Sequence, residues 1–218
     1  MAHYLVSDKI MRLWDNMSTT KMTAKKSDAY HHGDLRAALL RAAERILERD
    51  GPKAISLRAC AKEAGVSHAG PTHHFPSLAA LLSALAAIGF DRLTRSVCEA
   101  LSEPDAALST VSRTYVAFAL ENRQMFYLMS DPGRLDSTYP DLRAARSEAR
   151  DALISARAVP AENASLDQVG LIAAEWALAH GFALLMLTER LGGLTRMVSG
   201  GATEMDLLDA ALRALNRT

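Results

Sequence analysis

Two short segments with helical apolar spacing lie on either side of Ala64-Gly65-Val66, and they are the strongest constraint on the fold. Ser56 can cap the first segment, because its hydroxyl can accept a hydrogen bond from an amide two or three residues later. Gly65 can adopt the positive φ of a tight turn, and Ser67 can cap the second segment, which extends to His74. Two short helices joined by a glycine-containing turn indicate a helix-turn-helix unit.

Longer helices are predicted on both sides of this unit. From Asp34 onwards the apolar residues recur at helical spacing, and this helix is expected to end at Asp50-Gly51-Pro52. Phe75 is expected to anchor the end of the second short helix. Pro76-Ser77 then begins a long helix that is predicted to run to about Leu101.

Pro71 is the unusual residue of this pattern. If the second short helix starts directly after Ser67, a proline at this position removes a backbone hydrogen bond or tightens the turn toward 3₁₀ geometry. The sequence therefore predicts an irregular helix here.

The rest of the chain is also predicted to be helical. Alanine, leucine and arginine recur at helical spacing, 49% of the residues are hydrophobic, and seven prolines and twelve glycines are few for 218 residues. Further helices are expected at residues 105–121, 122–130, 140–158, 165–191 and 203–216. We predict an all-α protein with a flexible N-terminal arm (1–29), a three-helix helix-turn-helix domain (30–77) and a larger helical domain (78–218).

The charges are distributed unevenly although the formal net charge is zero. Residues 21–78 hold ten lysines and arginines against six acidic residues, together with five of the seven histidines. Residues 79–218 hold thirteen basic against seventeen acidic residues. This division favours an N-terminal surface that meets phosphate and a C-terminal body that does not.

Several classes of protein and site are not indicated. Cys60 and Cys98 do not form a disulfide framework, no apolar run is expected to reach the length of a membrane span, and a cytoplasmic location is expected. The histidine pairs His31-His32 and His73-His74 lack a Cys, Asp or Glu at ligand spacing, so no metal site is predicted. The sequence has no paired acids, no nucleophile with a base and no Glu-x-x-His motif, so we expect neither an enzyme nor a cofactor.

The segment ISLRACAKEAGVSHAGPTHHFPSLAALLSAL carries a specific resemblance to a known family. Residues 31–90 resemble the DNA-binding domain of the TetR family of bacterial regulators, with Gly65-Val66-Ser67 at the turn and His74-Phe75-Pro76 at the exit of the recognition helix. The segments YHHGDLRAALLRAAERIL and WALAHGFALL (176–185) resemble a subgroup of this family that has a Trp-His-Gly signature in its C-terminal domain. These segments together cover roughly half of the chain.

The resemblance implies which residues contact DNA. A helix that reads the major groove needs short polar residues at its N-terminal end, and the second short helix has them. The expected contacts to bases and backbone are Ser67, His68, Ala69, Thr72, His73 and His74, and the expected contacts to flanking phosphates are Ser56 and Arg58. Most relatives carry Tyr in place of Thr72, so a hydroxyl-to-base or thymine-methyl contact is expected to replace the usual phenol contact.

The resemblance also implies a C-terminal domain that binds a ligand and pairs with a second copy of the chain. Helices 165–191 and 203–216 would form a four-helix bundle in a homodimer, using Ile172, Trp176, Ala179, Ala183, Met186, Leu207, Leu208, Ala211, Leu212 and Leu215. The candidate pocket residues for a small, largely apolar effector are Phe118, Met125, Phe126, Met129, Tyr139, Trp176, His180 and Phe182.

Two questions remain open at this level. Trp176 and His180 share one helix face beside Gly181, and either close packing of helices or a ligand contact explains them. The functional hypothesis is a ligand-responsive repressor that binds a palindromic operator. The alternatives are a helical interaction protein or a bundle enzyme that does not bind DNA.

Overall fold

A computed structural model describes residues 30–67, 70–103, 109–157, 159 and 163–216. These residues form α-helices joined by turns, with no strand among them, so the predicted all-α class is confirmed. The predicted arm (1–29) and two predicted DNA contacts, His68 and Ala69, lie outside the described residues.

The helices follow the predicted order. In chain order they are α1 (Tyr30–Asp50), α2 (Leu57–Ala64), α3 (Gly70–His74), α4 (Leu78–Leu101), α5 (Ser109–Glu121), α6 (Arg123–Met129), α7 (Pro140–Ala156), α8 (Leu166–Leu187), α9 (Gly192–Thr195) and α10 (Glu204–Leu215). A 3₁₀ turn at Pro52–Ala54, which was not predicted, follows Gly51. The helix predicted over 165–191 ends earlier, at Leu187, and Glu189 beyond it has a positive φ of 57°. The short helix α9 that follows was not predicted.

The chain divides into two compact units. Among the described residues, the head unit comprises 30–92 and 124–147, and the C-terminal unit comprises 93–123 and 148–216. Helices α4 and α7 each contribute residues to both units. The boundary predicted at residue 77 lies at the start of α4, whereas the compact units divide within that helix.

The turn between α2 and α3 has the local geometry expected from the sequence. The Ser56 hydroxyl accepts a hydrogen bond from the Ala59 amide at 3.1 Å and so caps α2. Gly65 lies in the left-handed region at φ 69°, and the Val66 amide donates to the Ala61 carbonyl at 3.0 Å. These bonds satisfy the end of α2 and reverse the chain.

The described part of α3 shows how this helix accommodates proline. The Gly70 amide donates to the Ser67 carbonyl in a turn at 3.0 Å, and the helix begins at Gly70. Pro71 therefore lies in the first turn, where a missing N–H removes no helical hydrogen bond. The Phe75 amide donates to the Pro71 carbonyl at 2.8 Å and closes this short helix.

The head unit is held by an apolar core beneath the helix-turn-helix. Helix α1 packs against both α2 and α3. The largest fully buried side chains of this unit include Leu39, Leu47, Phe75, Leu81 and Leu85. Because Phe75 directly follows α3, its burial attaches the end of α3 to this core.

Helix α8 is the central element of the C-terminal unit. It packs against α5 and α10, and capping boxes at Ser165 and Thr203 begin α8 and α10. By length and composition alone α8 is apolar enough to cross a membrane, so the expectation that no run reaches this length was wrong. Gly181 does not mediate close packing within the subunit, because a Cβ at this position would meet no atom within 4 Å.

Replacement of Gly65 by alanine is expected to destabilise the head unit by about 1–2 kcal/mol, because an L side chain is strained at this positive φ. Chemical unfolding followed by circular dichroism measures the change. Gly193→Ala is the matched control, since Gly193 lies within α9 with open space around it and should gain up to about 1 kcal/mol. Equal stability of the Gly65 variant and the natural chain would contradict the assigned role of the turn.

Candidate nucleic-acid interface and ligand cavity

The head unit presents a polar surface along α3 and the start of α2. Ser56, Arg58 and Ser67 are exposed. Thr72 and His73 are exposed on α3, and His74 is half-buried. Six of the eight predicted DNA contacts are thus described, and they lie on α2 and α3 or directly before these two short helices, which pack against each other.

Burial on the opposite side of α3 fixes which of its side chains point outward. Pro71 and Phe75 are buried, and the Arg36 guanidinium lies 5.5 Å from the centre of the Phe75 ring. Arg36 also donates to Asp141 at 2.8 Å and to the Tyr139 hydroxyl at 3.3 Å. This arginine therefore connects α1, the end of α3 and the start of α7.

Part of the positive charge near this surface is balanced internally. Glu63 accepts a hydrogen bond from Arg45 at 3.1 Å and pairs with Arg49 at 3.5 Å. The hydrogen bond from Arg45 lowers the pKa of Glu63 below its usual range. Arg58, at the second position of α2, takes part in no ion pair among the described residues, so its charge remains available to a phosphate.

The C-terminal unit contains a small cavity between α5, α7 and α8. Its volume is about 30 Å³, which is room for about two water molecules. The lining residues are Val111, Ser112, Tyr115, Leu153, Ala156, Arg157, Ile172, Glu175, Trp176 and Ala179. The walls are mainly apolar, with one ion pair and one chain of hydrogen bonds among them.

The ion pair joins Arg157 to Glu175. Arg157 Nε donates to Glu175 Oε2 at 2.7 Å, and Nη2 contacts the other carboxylate oxygen. Nη2 also donates to Asn216 Oδ1 at 2.9 Å. Both charged side chains are only 13% exposed, so water contributes little to their solvation and each depends on the other.

The hydrogen-bond chain joins Trp176, Tyr115 and His180. Tyr115 Oη lies 2.8 Å from His180 Nδ1, and the Trp176 side chain also hydrogen-bonds to Tyr115. An indole N–H can only donate a hydrogen bond, so the Tyr115 hydroxyl accepts from Trp176. The same hydroxyl can then donate its own hydrogen bond to His180 Nδ1. Burial lowers the pKa of His180 below its ordinary value, which favours the neutral ring that this arrangement needs.

The eight predicted pocket residues fall in two units. Phe118 is buried in the C-terminal unit, and Phe182 is half-buried on α8. Of the eight, Trp176 lines the cavity directly, and His180 contacts the lining residue Tyr115. The other four lie in the head unit: Met125, Phe126, Met129 and Tyr139.

Those four residues have contacts within the head unit. Met125 and Met129 press on Gly89, where a Cβ would lie 2.8 Å and 2.6 Å from their sulfur atoms. Phe126 is 1% exposed, and Tyr139 bonds to Arg36. These contacts explain the four residues as packing around α4 and α1.

The sequence pattern did not reveal Tyr115, Arg157 or Glu175 as cavity residues. The shared face of Trp176 and His180 indicated a common partner, but not which residue it was. Tyr115 lies 65 positions before His180, and a contact between residues so far apart cannot be predicted from local spacing.

Comparison with known proteins agrees with this architecture. Residues 39–85 match the family model described as "Bacterial regulatory proteins, tetR family", and residues 108–215 match the one described as "Tetracyclin repressor-like, C-terminal domain". The chain belongs to the TetR family. Among proteins of curated function, none matches this TetR-family chain at a significant level.

Solved structures share the fold over most of the chain. A protein of unknown function from Rhodococcus sp. RHA1 is 32% identical, with a TM-score of 0.68 over 88% of this chain and 98% of that one. A possible TetR family transcriptional regulator from Streptomyces coelicolor A3(2) is 19% identical, with a TM-score of 0.54 over 82% of this chain and 80% of that one. The second likeness concerns the fold alone.

Acidification is expected to destabilise the C-terminal unit through His180. In the unfolded chain the imidazole protonates near its ordinary pKa of about 6.5. The folded state has a lowered pKa, so the unfolded state binds more protons and the free energy of unfolding falls as pH drops below that value. The loss is limited to about 1.4 kcal/mol per pH unit.

Urea midpoints at about pH 7.5 and about pH 5.5 test this expectation. His180→Gln should lose less stability on acidification than the natural chain. His73→Gln, at an exposed position on α3, is the control and should behave as the natural chain does. An equal loss in the natural chain and in the His180 variant would contradict the prediction.

Proposed function

We propose that this TetR-family chain is a transcription regulator that binds a palindromic operator as a homodimer and that a small molecule controls this binding. The observation that carries the proposal is α3, whose apolar residues Pro71 and Phe75 are buried while Thr72 and His73 remain exposed. Such a helix is narrow and polar on its outer face, and these are the properties that a helix needs to enter the major groove and contact the base edges.

Each exposed residue receives a role from its chemistry. Thr72 offers a hydroxyl to a base edge and a methyl group to thymine, and His73 extends the contact toward the backbone. Ser56 and Arg58, at the N-terminus of α2, are suited to phosphate oxygens because backbone amides and a cation meet there. Ser67, His68, Ala69 and His74 complete the proposed interface.

The homodimer is supported by an apolar stripe on α8. Leu166, Val169 and Trp176 are 86%, 50% and 55% exposed, and helical spacing places them along one side of the helix. The sequence had assigned the surplus apolar surface partly to Ala179, Ala183, Met186, Leu208 and Leu212, but these residues are buried within the subunit. We therefore assign the subunit contact to the Leu166–Trp176 stripe.

Regulation would follow from differential binding. A ligand that binds the C-terminal unit in only one of two conformations lowers or raises DNA affinity, and DNA changes ligand affinity by the same factor. We propose repression of transcription in the cytoplasm, where the operator is, and no catalytic activity. This assignment rests on the family to which the chain belongs.

Binding to DNA is tested by gel shift and footprinting with the intergenic DNA next to the gene. Arg58→Gln should weaken binding to all duplexes and reduce the slope of log affinity against log salt by about 2, because one phosphate contact is lost in each subunit of the dimer. Thr72→Ala should weaken binding to the footprinted site by about 5-fold to 100-fold and leave the salt slope unchanged. Arg150→Gln, an exposed arginine of α7, is the control. Failure of the natural chain to bind any duplex at low salt would refute the proposal.

Dimer formation is tested by analytical ultracentrifugation. Val169→Asp places a charge within the exposed stripe and should convert dimers to monomers, with a large loss of operator affinity because one of two half-site contacts is lost. Leu120→Asp, at a position 38% exposed on α5, is the control and should remain dimeric. A monomeric natural chain, or a dimeric Val169 variant, would exclude this interface.

A further inference from the structure

Arg157, a lining residue of the cavity in the C-terminal unit, has more hydrogen-bond donors than its ion pair uses. A guanidinium carries five N–H donors on three nitrogens. The contacts of Arg157 with Glu175 and Asn216 use Nε and Nη2, and Nη1 takes part in none of them. Both oxygens of Glu175 are held by Arg157.

Three further polar side chains line the cavity, namely Ser112, Tyr115 and Trp176, and two of them have partners. The Trp176 N–H is directed to Tyr115, and Tyr115 is paired with His180. Around them the walls are aliphatic, with Val111, Leu153 and Ile172 among the lining residues. The cavity thus combines an apolar enclosure with a charged donor at one side.

Charge balance decides which ligands this arrangement favours. The ion pair is neutral as a unit, and both of its members are largely removed from water. A ligand carboxylate would leave two negative charges around one guanidinium in a low-dielectric site, and a ligand ammonium would leave two positive charges around one carboxylate. A neutral acceptor adds a charge-assisted hydrogen bond without adding a charge.

We infer that the effector of this protein is a small, neutral, mainly apolar molecule with a carbonyl-type acceptor, as in a ketone, ester or amide, which Arg157 Nη1 binds. This inference rests on the proposed function, since it names the ligand class of the proposed regulatory site. The cavity of about 30 Å³ must expand to admit such a molecule, whose usual pockets measure about 300–1,000 Å³. A ligand that binds only the expanded state has the differential affinity that regulation requires.

The wall of the cavity provides its own spectroscopic probe. The chain has two tryptophans, Trp14 and Trp176, so Trp14→Phe leaves one indole N–H resonance in protein labelled with ¹⁵N-tryptophan. Four probes of similar size separate the ligand classes: acetophenone as neutral acceptor, ethylbenzene without an acceptor, benzoate as anion and benzylammonium as cation. Each is titrated against the full chain while the Trp176 resonance is followed.

Acetophenone is expected to bind about 10-fold to 100-fold more tightly than ethylbenzene, as a hydrogen bond to a charged donor predicts. Benzoate and benzylammonium should bind more weakly than acetophenone. Equal affinities for acetophenone and ethylbenzene, or tighter binding of either charged probe, would overturn the inference.

A double variant identifies the donor. Arg157→Met with Glu175→Gln removes the guanidinium without leaving a buried carboxylate unpaired, and it should reduce the affinity for acetophenone to that for ethylbenzene. Arg150→Gln, on the helix that ends just before Arg157, is the control and should keep the preference. Retention of the preference in a folded double variant would overturn the role of Arg157. If that variant does not fold, the probe series on the Trp14→Phe chain still decides the ligand class.

The two proposals fail separately. A chain that binds its operator but shows no preference for acetophenone disproves the inferred ligand class and leaves the proposed function intact. A chain that prefers acetophenone but binds no duplex disproves the proposed function and leaves the ligand class of the cavity standing.

Discussion

Burial of Phe75 is the interaction on which the recognition surface depends, because α3 has only five residues. A helix of this length does not persist in water through its own hydrogen bonds, since the cost of forming the first turn is not recovered over so few residues. Full burial of one phenylalanine contributes about 1.5–3 kcal/mol, and the Arg36 guanidinium over the ring adds to it. The exposed side chains Thr72 and His73 keep their outward direction because this anchor holds the opposite side.

The C-terminal unit is organised by polar contacts inside an apolar setting. Arg157 and Glu175 are nearly buried, and replacing such a pair by apolar side chains is often neutral or stabilising. Stability alone therefore does not explain the pair, and Arg157 and Glu175 both line the cavity. Trp176 belongs to both the cavity and the exposed apolar stripe of α8. The proposed ligand cavity and the proposed subunit contact thus share α8.

Local signals predicted most of the fold correctly. The cap at Ser56, the positive φ at Gly65 and the stop at Asp50 each depend on neighbours within about four residues, so the sequence is sufficient to recognise them. The apolar length of α8 was underestimated because single polar residues, such as Glu175 and His180, interrupt a run that is otherwise continuous.

The residues that line the cavity could not be predicted from the sequence. Aromatic residues and methionines in helices are equally suited to a core and to a pocket, and the pattern could not separate Met125, which packs on Gly89, from Trp176, which lines the cavity. Tyr115 with His180 and Arg157 with Asn216 are pairs separated by 65 and 59 positions. The sequence by itself determined the helical class, the order of the helices and the helix-turn-helix, because hydrogen bonds and side-chain periodicity within one element specify them. Only the tertiary structure decided which side chains meet across helices, since those contacts depend on the packing of whole elements and leave no mark on local spacing.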